Sequence, residues 1–497
     1  MAVLSLPKEV THYQMLINGE WTIGSSSSEF ERKSPGHGVA VSVYPRGTKQ
    51  DVFNAVVAAR NAFDDGAWSR CSGAERADKL SEVARLIKVN QEKLAYQETL
   101  ETGKPISQSR GEVMGAAGFW DYAAGQARAL EGESFNQQGE DILGLVLREP
   151  IGVVGLITPW NFPFFILCER LPFILASGCS VVIKPSELTA GTTLMLGKLI
   201  EQAGIPKGVV NMITGPGSEL GNAMSHHEDI DMISFTGSTQ VGKSVLDGSK
   251  VNMKKVGLEL GGKNPHVVFA DADLDEAADG VAFAQCFNAG QCCVGGSRLL
   301  VDSSIADEFI SRLKTRLSKV KIGDPLDEDT QVGSMIDPTH FGKVNEYLES
   351  GTKQGATCEY DFGVCTEVPE NGLYFSPKIF RDVPPEADIA SEEIFGPILT
   401  VSEFDGYDDA LKQANDSIYG LSASIWTKNL STATKAMRDI QAGRVWVNTT
   451  ITGGPDMPIG GMKQSGLGRE TGKYGIDEYT EVKSVHVFTG QRDMWVS

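Results

Sequence analysis

Between residues 151 and 236 short apolar runs alternate with helical stretches, and this rhythm restricts the possible folds more than any other feature of the 497-residue chain. Val153 to Ile157, Val181 to Ile183, Val209 to Ile213 and Met232 to Phe235 have the length and branched apolar content of strands buried on both faces. A helix through Leu194 to Ala203 and a shorter one near 218 to 225 fall between them. Such alternation predicts a parallel sheet covered by helices on both sides, an architecture associated first of all with nucleotide binding.

The alternation restarts beyond 260, so a second α/β unit is expected with no long linker before it. A small-residue helix is predicted from about Leu274 to Asn288 and a strand at Arg298 to Val301. An amphipathic helix follows, with Ile305, Phe309, Ile310, Leu313, Leu317 and Val320 in register and Ser304 with Asp307 as its capping box. Near the start, Asn18-Gly19 between two apolar segments marks a tight hairpin, and Gly24 to Ser28 reads as a solvated loop. Residues 50 to 130 are mostly helical, with Leu80, Val83, Ala84, Leu86 and Ile87 on one face. Tyr479 to Phe488 alternates as a strand, expected to pair with a distant segment or another subunit. At roughly 150 residues per domain the length allows two or three packed units.

Charge excludes several functions. Lys and Arg number 45 against 65 Asp and Glu, a net charge of −20 that would repel a phosphate backbone and an anionic membrane, so neither nucleic acid nor membrane is expected as a partner. No cationic segment followed by an apolar one opens the chain at Met1-Ala2-Val3. The longest apolar run, Ile151 to Cys168, is broken by Pro159, Asn161 and Pro163 and stops at Glu169-Arg170, which predicts a buried strand and turn rather than a membrane span. Eight cysteines, at 71, 168, 179, 286, 292, 293, 358 and 365, form no CxxC pair, and the seven histidines form no HExxH. No metal site is expected, and free thiols point to the cytoplasm.

Two phosphate motifs compete. Gly237 to Ser244 matches GxxxxGK[ST], follows an apolar strand and opens a helix, as a P-loop does, with Phe269-Ala270-Asp271 as a weak candidate for the magnesium-binding strand end of an NTPase. Gly215-Pro216-Gly217-Ser218-Glu219-Leu220-Gly221 follows a strand but has one residue too many for the dinucleotide fingerprint.

For covalent chemistry the first candidate is Cys292-Cys293, crowded by Gly290, Gln291, Gly295 and Gly296. A cysteine beside small apolar residues is ordinarily inert core, but glycines admit a ligand closely and a thiolate attacks carbonyl carbon readily. Glu259, between two leucines and before Gly261-Gly262, is a carboxylate whose ionised form burial would disfavour, a route to a general base. Asn161, held between Pro159 and Pro163, offers a rigid amide to an oxyanion or simply serves a proline-rich turn.

Taken together, eight segments resemble the aldehyde dehydrogenase superfamily over nearly the whole chain. They are Ile17 to Trp21, Thr158 to Pro163, Lys184 to Glu187, Phe235 to Ser238, Leu258 to Lys263, Gly290 to Cys293, Glu392 to Pro397 and Gly460 to Gly466. The resemblance implies that Cys293, not Cys292, attacks an aldehyde, with the Asn161 amide and the Cys293 backbone N–H holding the oxyanion. Glu259 would then activate water to hydrolyse a thioester; members that pass the acyl group to coenzyme A lack this Glu. It demotes the P-loop match to coincidence.

The same likeness implies an NAD site. Lys184 and Glu187 match the pair on the adenosine ribose, and the Glu187 carboxylate would disfavour NADP. Gly237 and Ser238 match the turn near the pyrophosphate with Trp160 beside it, and Glu393 with Phe395 matches the grip on the nicotinamide ribose. Phe162, Glu169, Asp456 and Ile459 are expected in the substrate tunnel. Glu169 stands where aliphatic-aldehyde enzymes carry a bulky aromatic, and Asp456-Met457-Pro458-Ile459 is similar to the pattern of betaine and aminoaldehyde dehydrogenases. A cationic aldehyde is therefore expected, unless Glu169 pairs with Arg170 or another base; aliphatic, aromatic or semialdehyde substrates are the alternatives. The implied organisation is α/β: a Rossmann-like NAD-binding domain at 1–131 and 150–260, an α/β catalytic domain at 261–470, and a small β oligomerisation flap at 132–149 and 478–497 of a homodimer or homotetramer.

Overall fold

The computed structural model describes residues 4–361, 363–364 and 367–496, so Met1 to Val3 and Cys365 of the readings above lie outside the described residues. Its first sheet has eight strands. Five are parallel, in the spatial order Lys255–Glu259, Met232–Thr236, Val153–Ile157, Ser180–Lys184 and Val210–Met212. The chain enters at the centre, winds outward to one side, then returns and winds to the other. Strand order therefore reverses between Val153–Ile157 and Met232–Thr236, and the loops leaving these two strands diverge to open a crevice.

Both edges of this sheet are antiparallel. Met15–Ile17 and Glu20–Thr22 close one edge through a two-residue turn in which Asn18 has φ 54° and Gly19 φ 70°, as a type I′ hairpin requires. The other edge is Gly466–Leu467 on Lys255–Glu259, so these two residues join the first sheet although they fall in the 261–470 range expected of the second unit. The predicted "strand and turn" at 151–168 requires correction. After the turn the chain enters a helix, Pro163–Ser177, that is buried along its length and so shows no amphipathic period. Proline occupies its first turn, where no N–H is needed, and Gly178 ends it at φ 99°.

A seven-stranded sheet follows in the order Thr357–Asp361, Lys378–Arg381, Ile398–Phe404, Gly296–Asp302, Asn264–Val268, Ser422–Trp426 and Arg444–Val447, parallel except for its first strand. The helix Leu274–Cys286 precedes Gly296–Asp302 and stops before Asn288. The expected Ser304–Asp307 capping box does not form. Ser304 lies in a short 3-10 turn, Ser303–Ile305, capped by Asp302, whose Oδ1 accepts from the Ser304 N–H at 3.1 Å, and the helix itself runs over Ala306–Leu317, short of Val320.

The third unit is a ribbon of Glu133–Phe135, Ile142–Pro150 and Thr480–Phe488. Thr480–Phe488 pairs residue for residue with Ile142–Pro150, a partner more than 300 positions away. Phe135, Leu143, Leu147, Val482, Val487 and Phe488 of this ribbon are exposed. Among the described residues no helix is long and apolar enough to cross a membrane.

Candidate active site

The crevice is walled on one side by the ends of the first sheet's parallel strands and on the other by the loop before Gly296–Asp302. Asn161 follows Val153–Ile157 and is 4% exposed; its Nδ2 donates to the Gln291 carbonyl at 3.2 Å. In return Asn288 Nδ2 donates to the Asn161 carbonyl at 2.9 Å and to that of Gln291 at 3.1 Å. Two hydrogen-bonded amides thus tie one sheet to the loop carrying Cys292 and Cys293. That loop turns through three consecutive left-handed residues, Asn288, Ala289 and Gly290, at φ 52°, 54° and 73°. Glycine is required at 290, because a Cβ there would overlap the backbone of Gly396 and Pro397. Asn264 Nδ2 fixes the far side of the loop, donating to the carbonyls of Cys293 at 2.7 Å and Gly295 at 2.9 Å.

Cys293 is half-buried and Cys292 buried, and both line a cavity of about 670 Å³. The Cys292 side chain packs in an apolar cluster with Phe162 and Ile166, and burial pushes its thiol up to about 12. The Cys293 thiol is also held well above its ordinary range, first by burial and then by the neighbouring Cys292 and the carboxylates of Glu393, Glu169 and Glu259. Each is a protonated thiol at rest. Among the described residues no backbone hydrogen bond occupies the Cys293 N–H, which suits it to an oxyanion.

Glu259 ends the strand Lys255–Glu259 and lines the same cavity. Its Oε1 is buried without a hydrogen-bond partner, and its carboxyl is pushed up to about 8 by burial, with Arg170 opposing and Glu470 and Glu169 adding to the rise. A carboxylate oxygen with no partner, in the wall of the cavity that also holds the thiol, has the chemistry of a proton acceptor.

Phe162, Glu169 and Ile459 all line the cavity. Phe162 is stacked on Phe287 at 5.6 Å and lies over the Lys104 ammonium at 4.4 Å. Glu169 does not pair with Arg170, whose Nε instead donates to Glu470 Oε1 at 3.2 Å within a buried network completed by Tyr479. The Glu169 carboxyl, raised to about 7 by burial, has the Arg170 and Arg444 charges near it but no hydrogen bond among the described residues. Asp456 corrects the expectation of a second tunnel carboxylate: it is exposed and absent from the cavity wall, because the chain folds back there, Met457 N–H donating to the Gly454 carbonyl at 3.2 Å.

Residues read as cofactor contacts gather along the other side of the crevice. Lys184 ends Ser180–Lys184, buried, with Nζ donating to the Pro185 carbonyl at 2.8 Å and reaching Glu187 Oε2 at 3.5 Å. Gly217 opens the turn beside them, where even a Cβ would make only ordinary contacts, 3.9 Å from Lys184 Nζ and 4.0 Å from Glu187 Oε2. Gly237 and Ser238 follow Met232–Thr236, and Ser238 caps the helix Thr239–Ser249. Only two residues separate the strand from the helix, so Thr239 to Ser244 are helical and cannot wrap a phosphate as a P-loop, and Lys243 is exposed on the helix. Asp271, the candidate magnesium ligand, belongs to the other sheet and accepts from Thr427 Oγ1 at 2.8 Å. Across the crevice Glu393 Oε1 accepts from the Gly262 N–H at 3.1 Å, and burial lifts its carboxyl to about 7. Phe395, at φ 59°, meets Trp160 edge-on at 5.3 Å.

Several residues here escaped the sequence reading. Asn264, Asn288 and Gln291 hold the Cys293 loop, and Gln291 Oε1 further accepts from the Ile336 N–H at 2.9 Å. Buried amides next to glycines were the available signal. Arg444, on the opening residue of Arg444–Val447, also lines the cavity, and nothing local distinguishes it from a surface arginine at a strand start.

Similarity to known proteins extends over nearly the whole chain. The sequence profile of the Aldehyde dehydrogenase family matches residues 21–485. Betaine aldehyde dehydrogenase of Bacillus subtilis (strain 168) is 40% identical over 474 residues, 95% of this chain and 96% of that protein. The crystal structure of an NAD-dependent aldehyde dehydrogenase from Sinorhizobium meliloti superposes with a TM-score of 0.96 at 50% identity, covering 99% of this chain and 97% of the other. Betaine aldehyde dehydrogenase from Staphylococcus aureus, in complex with NAD+, gives a TM-score of 0.95 at 37% identity with 97% of each chain covered.

Proposed function

Because the chain belongs to the aldehyde dehydrogenase family, we propose that it oxidises an aldehyde to a carboxylic acid with NAD, using Cys293 as nucleophile and Glu259 as general base. The observation that carries this reading is the pairing of a half-buried thiol with an orphaned carboxylate in one cavity. The thiol proton passes to Glu259, and the Cys293 sulfur adds to the aldehyde carbon. The developing oxyanion lies between the Cys293 N–H and the second Nδ2 hydrogen of Asn161. Glu259 releases that proton to solvent; loss of hydride leaves a thioester on Cys293, and the ionised Glu259 takes a proton from the water that attacks it and returns it to the departing Cys293 sulfur, freeing the acid and restoring the thiol.

The residues present fit NAD: Glu187 has a part-exposed carboxylate open to ribose hydroxyls, and the N-terminus of Thr239–Ser249 suits a pyrophosphate. Bound there, the dinucleotide supplies the hydride acceptor. Lys184 and Glu187 hold the adenosine ribose, Gly237, Ser238 and Trp160 border the pyrophosphate, and Glu393 with Phe395 holds the nicotinamide ribose. Glu187 repels a 2′-phosphate and favours NAD over NADP.

We assign the substrate to cationic, amino- or betaine-type aldehydes on the strength of Glu169, a 9% exposed carboxylate that lines the cavity with no ion pair of its own. Residues 132–149 and 478–497 form a flap whose exposed apolar side chains join subunits of a homodimer or homotetramer in the cytoplasm. NADH formation with an aldehyde panel tests the assignment. Glu169→Gln raises KM for aminoaldehydes and barely changes it for aliphatic ones; equal effects on both would refute the cationic preference, and turnover retained by Cys293→Ala would refute the reaction.

A further inference from the structure

Arg444 places a second, opposite charge in the wall that holds Glu169. Its Nη2 donates to the carbonyls of Met457 at 3.2 Å and Pro458 at 3.0 Å, which fixes the guanidinium, while among the described residues Nε and Nη1 have no hydrogen-bond acceptor. Gly453, another lining residue, keeps room at the free edge: a Cβ there would stand 3.1 Å from Nη1. Trp446 lies 6.0 Å beneath the guanidinium carbon and supports it. No ion pair joins Arg444 to Glu169, although each acts electrostatically on the other. A cavity whose wall presents an unpaired carboxylate and a half-satisfied guanidinium is complementary to a molecule carrying both charges.

We propose that the substrate is a zwitterionic aldehyde of the amino acid semialdehyde class, its ammonium received by Glu169 and its carboxylate by the free edge of Arg444, with the aldehyde directed to Cys293. The proposal rests on the Glu169 reading above and adds the carboxylate. Arginine suits that role because its planar fork offers two parallel donors to a carboxylate, whereas a purely cationic aldehyde would be repelled by Arg444.

Four aldehydes of equal chain length decide the matter: neutral, ammonium-bearing, carboxylate-bearing and carrying both charges on one carbon. In the wild-type enzyme kcat/KM for the doubly charged compound is expected to exceed that for the ammonium compound by about tenfold to a hundredfold, the range of one charge-assisted bidentate contact. Arg444→Met removes that advantage and leaves the ammonium and neutral aldehydes within about threefold, while Arg444→Lys restores it in part. Glu169→Gln lowers both ammonium-bearing compounds. A wild-type enzyme indifferent to the added carboxylate, or an Arg444→Met loss spread equally over all four aldehydes, overturns the proposal. Should the loss caused by Glu169→Gln still fall on the ammonium-bearing compounds alone in that event, the cationic reading stands without the carboxylate; should it fall on all four alike, both readings fall.

Discussion

Replacing Glu259 by Gln keeps the shape of the side chain and removes its ability to accept a proton, so it isolates the base. With a midpoint of about 8 in the folded chain, roughly one-tenth of Glu259 is ionised at pH 7, half at pH 8 and nine-tenths at pH 9. Where thioester hydrolysis limits turnover, kcat of the wild-type enzyme therefore climbs about fivefold between pH 7 and 8 and less than twofold between pH 8 and 9. Glu259→Gln lowers kcat by about 10²- to 10⁴-fold and flattens this rise. Rapid-mixing measurement of NADH reads the earlier role of the same group: because Glu259 also takes the Cys293 proton, the variant loses the rapid first turnover, and its one NADH per active site appears slowly before it stalls. The stability of the protein follows the same group with a worked sign. A carboxyl whose folded midpoint lies near 8 against an ordinary 4.5 favours folding most at low pH, and this contribution is lost as pH rises through about 8; its upper bound is about 5 kcal/mol at about 1.4 kcal/mol per tenfold. Thermal melting should accordingly show the variant gaining on the wild type across that window. A variant with kcat within about threefold of wild type, or one that keeps the rise near pH 8, refutes the assignment of the base.

Cys292→Ser is expected to retain turnover and Cys293→Ser to lose it, since the Cys292 side chain is packed against Phe162 and Ile166 whereas Cys293 is only half-buried; steady-state NADH formation reads both. Glu187→Gln relieves repulsion of a 2′-phosphate and should improve kcat/KM for NADP by about tenfold while weakening NAD, checked by titrating each cofactor. Lys104→Met leaves Glu98 and Glu112 buried together without the ammonium that lies 3.6 Å and 2.5 Å from them; a loss of about 3–5 kcal/mol should appear in urea or thermal unfolding. Gly290→Ala forces a side chain into Gly396 and Pro397 at a left-handed position and should depress activity far more than melting temperature, because the displaced loop carries the nucleophile.

Features with local chemical causes were legible in the sequence. Asn18-Gly19 specified its hairpin turn, and the alternation at 151–236 located the central strands, because parallel strands buried on both faces cannot conceal their apolar content. Helix Pro163–Ser177 was hidden by that same burial: apolar on every side, it offered no period to read. Asn161, Cys293 and Glu259 could be singled out by residue type and neighbouring glycines. Glu169 and Asp456, by contrast, looked equivalent as acids near family motifs, and only tertiary packing put one in the cavity and the other in solvent. Arg444 illustrates the limit more sharply. Its contacts, Met457 and Pro458, lie 13 and 14 positions on, and no spacing rule connects a strand's first residue to a loop that folds back over it.

The amides that hold the Cys293 loop come from separate halves of the molecule, Asn161 from the end of a first-sheet strand and Asn264 from the start of a second-sheet strand. Neither half folded alone would present the thiol beside its oxyanion donors. During refolding, the return of catalysis thus reports the docking of the two sheets rather than their formation, and is expected to lag behind the recovery of helical signal. Damage that merely loosens the seam would silence the enzyme while leaving both cores intact.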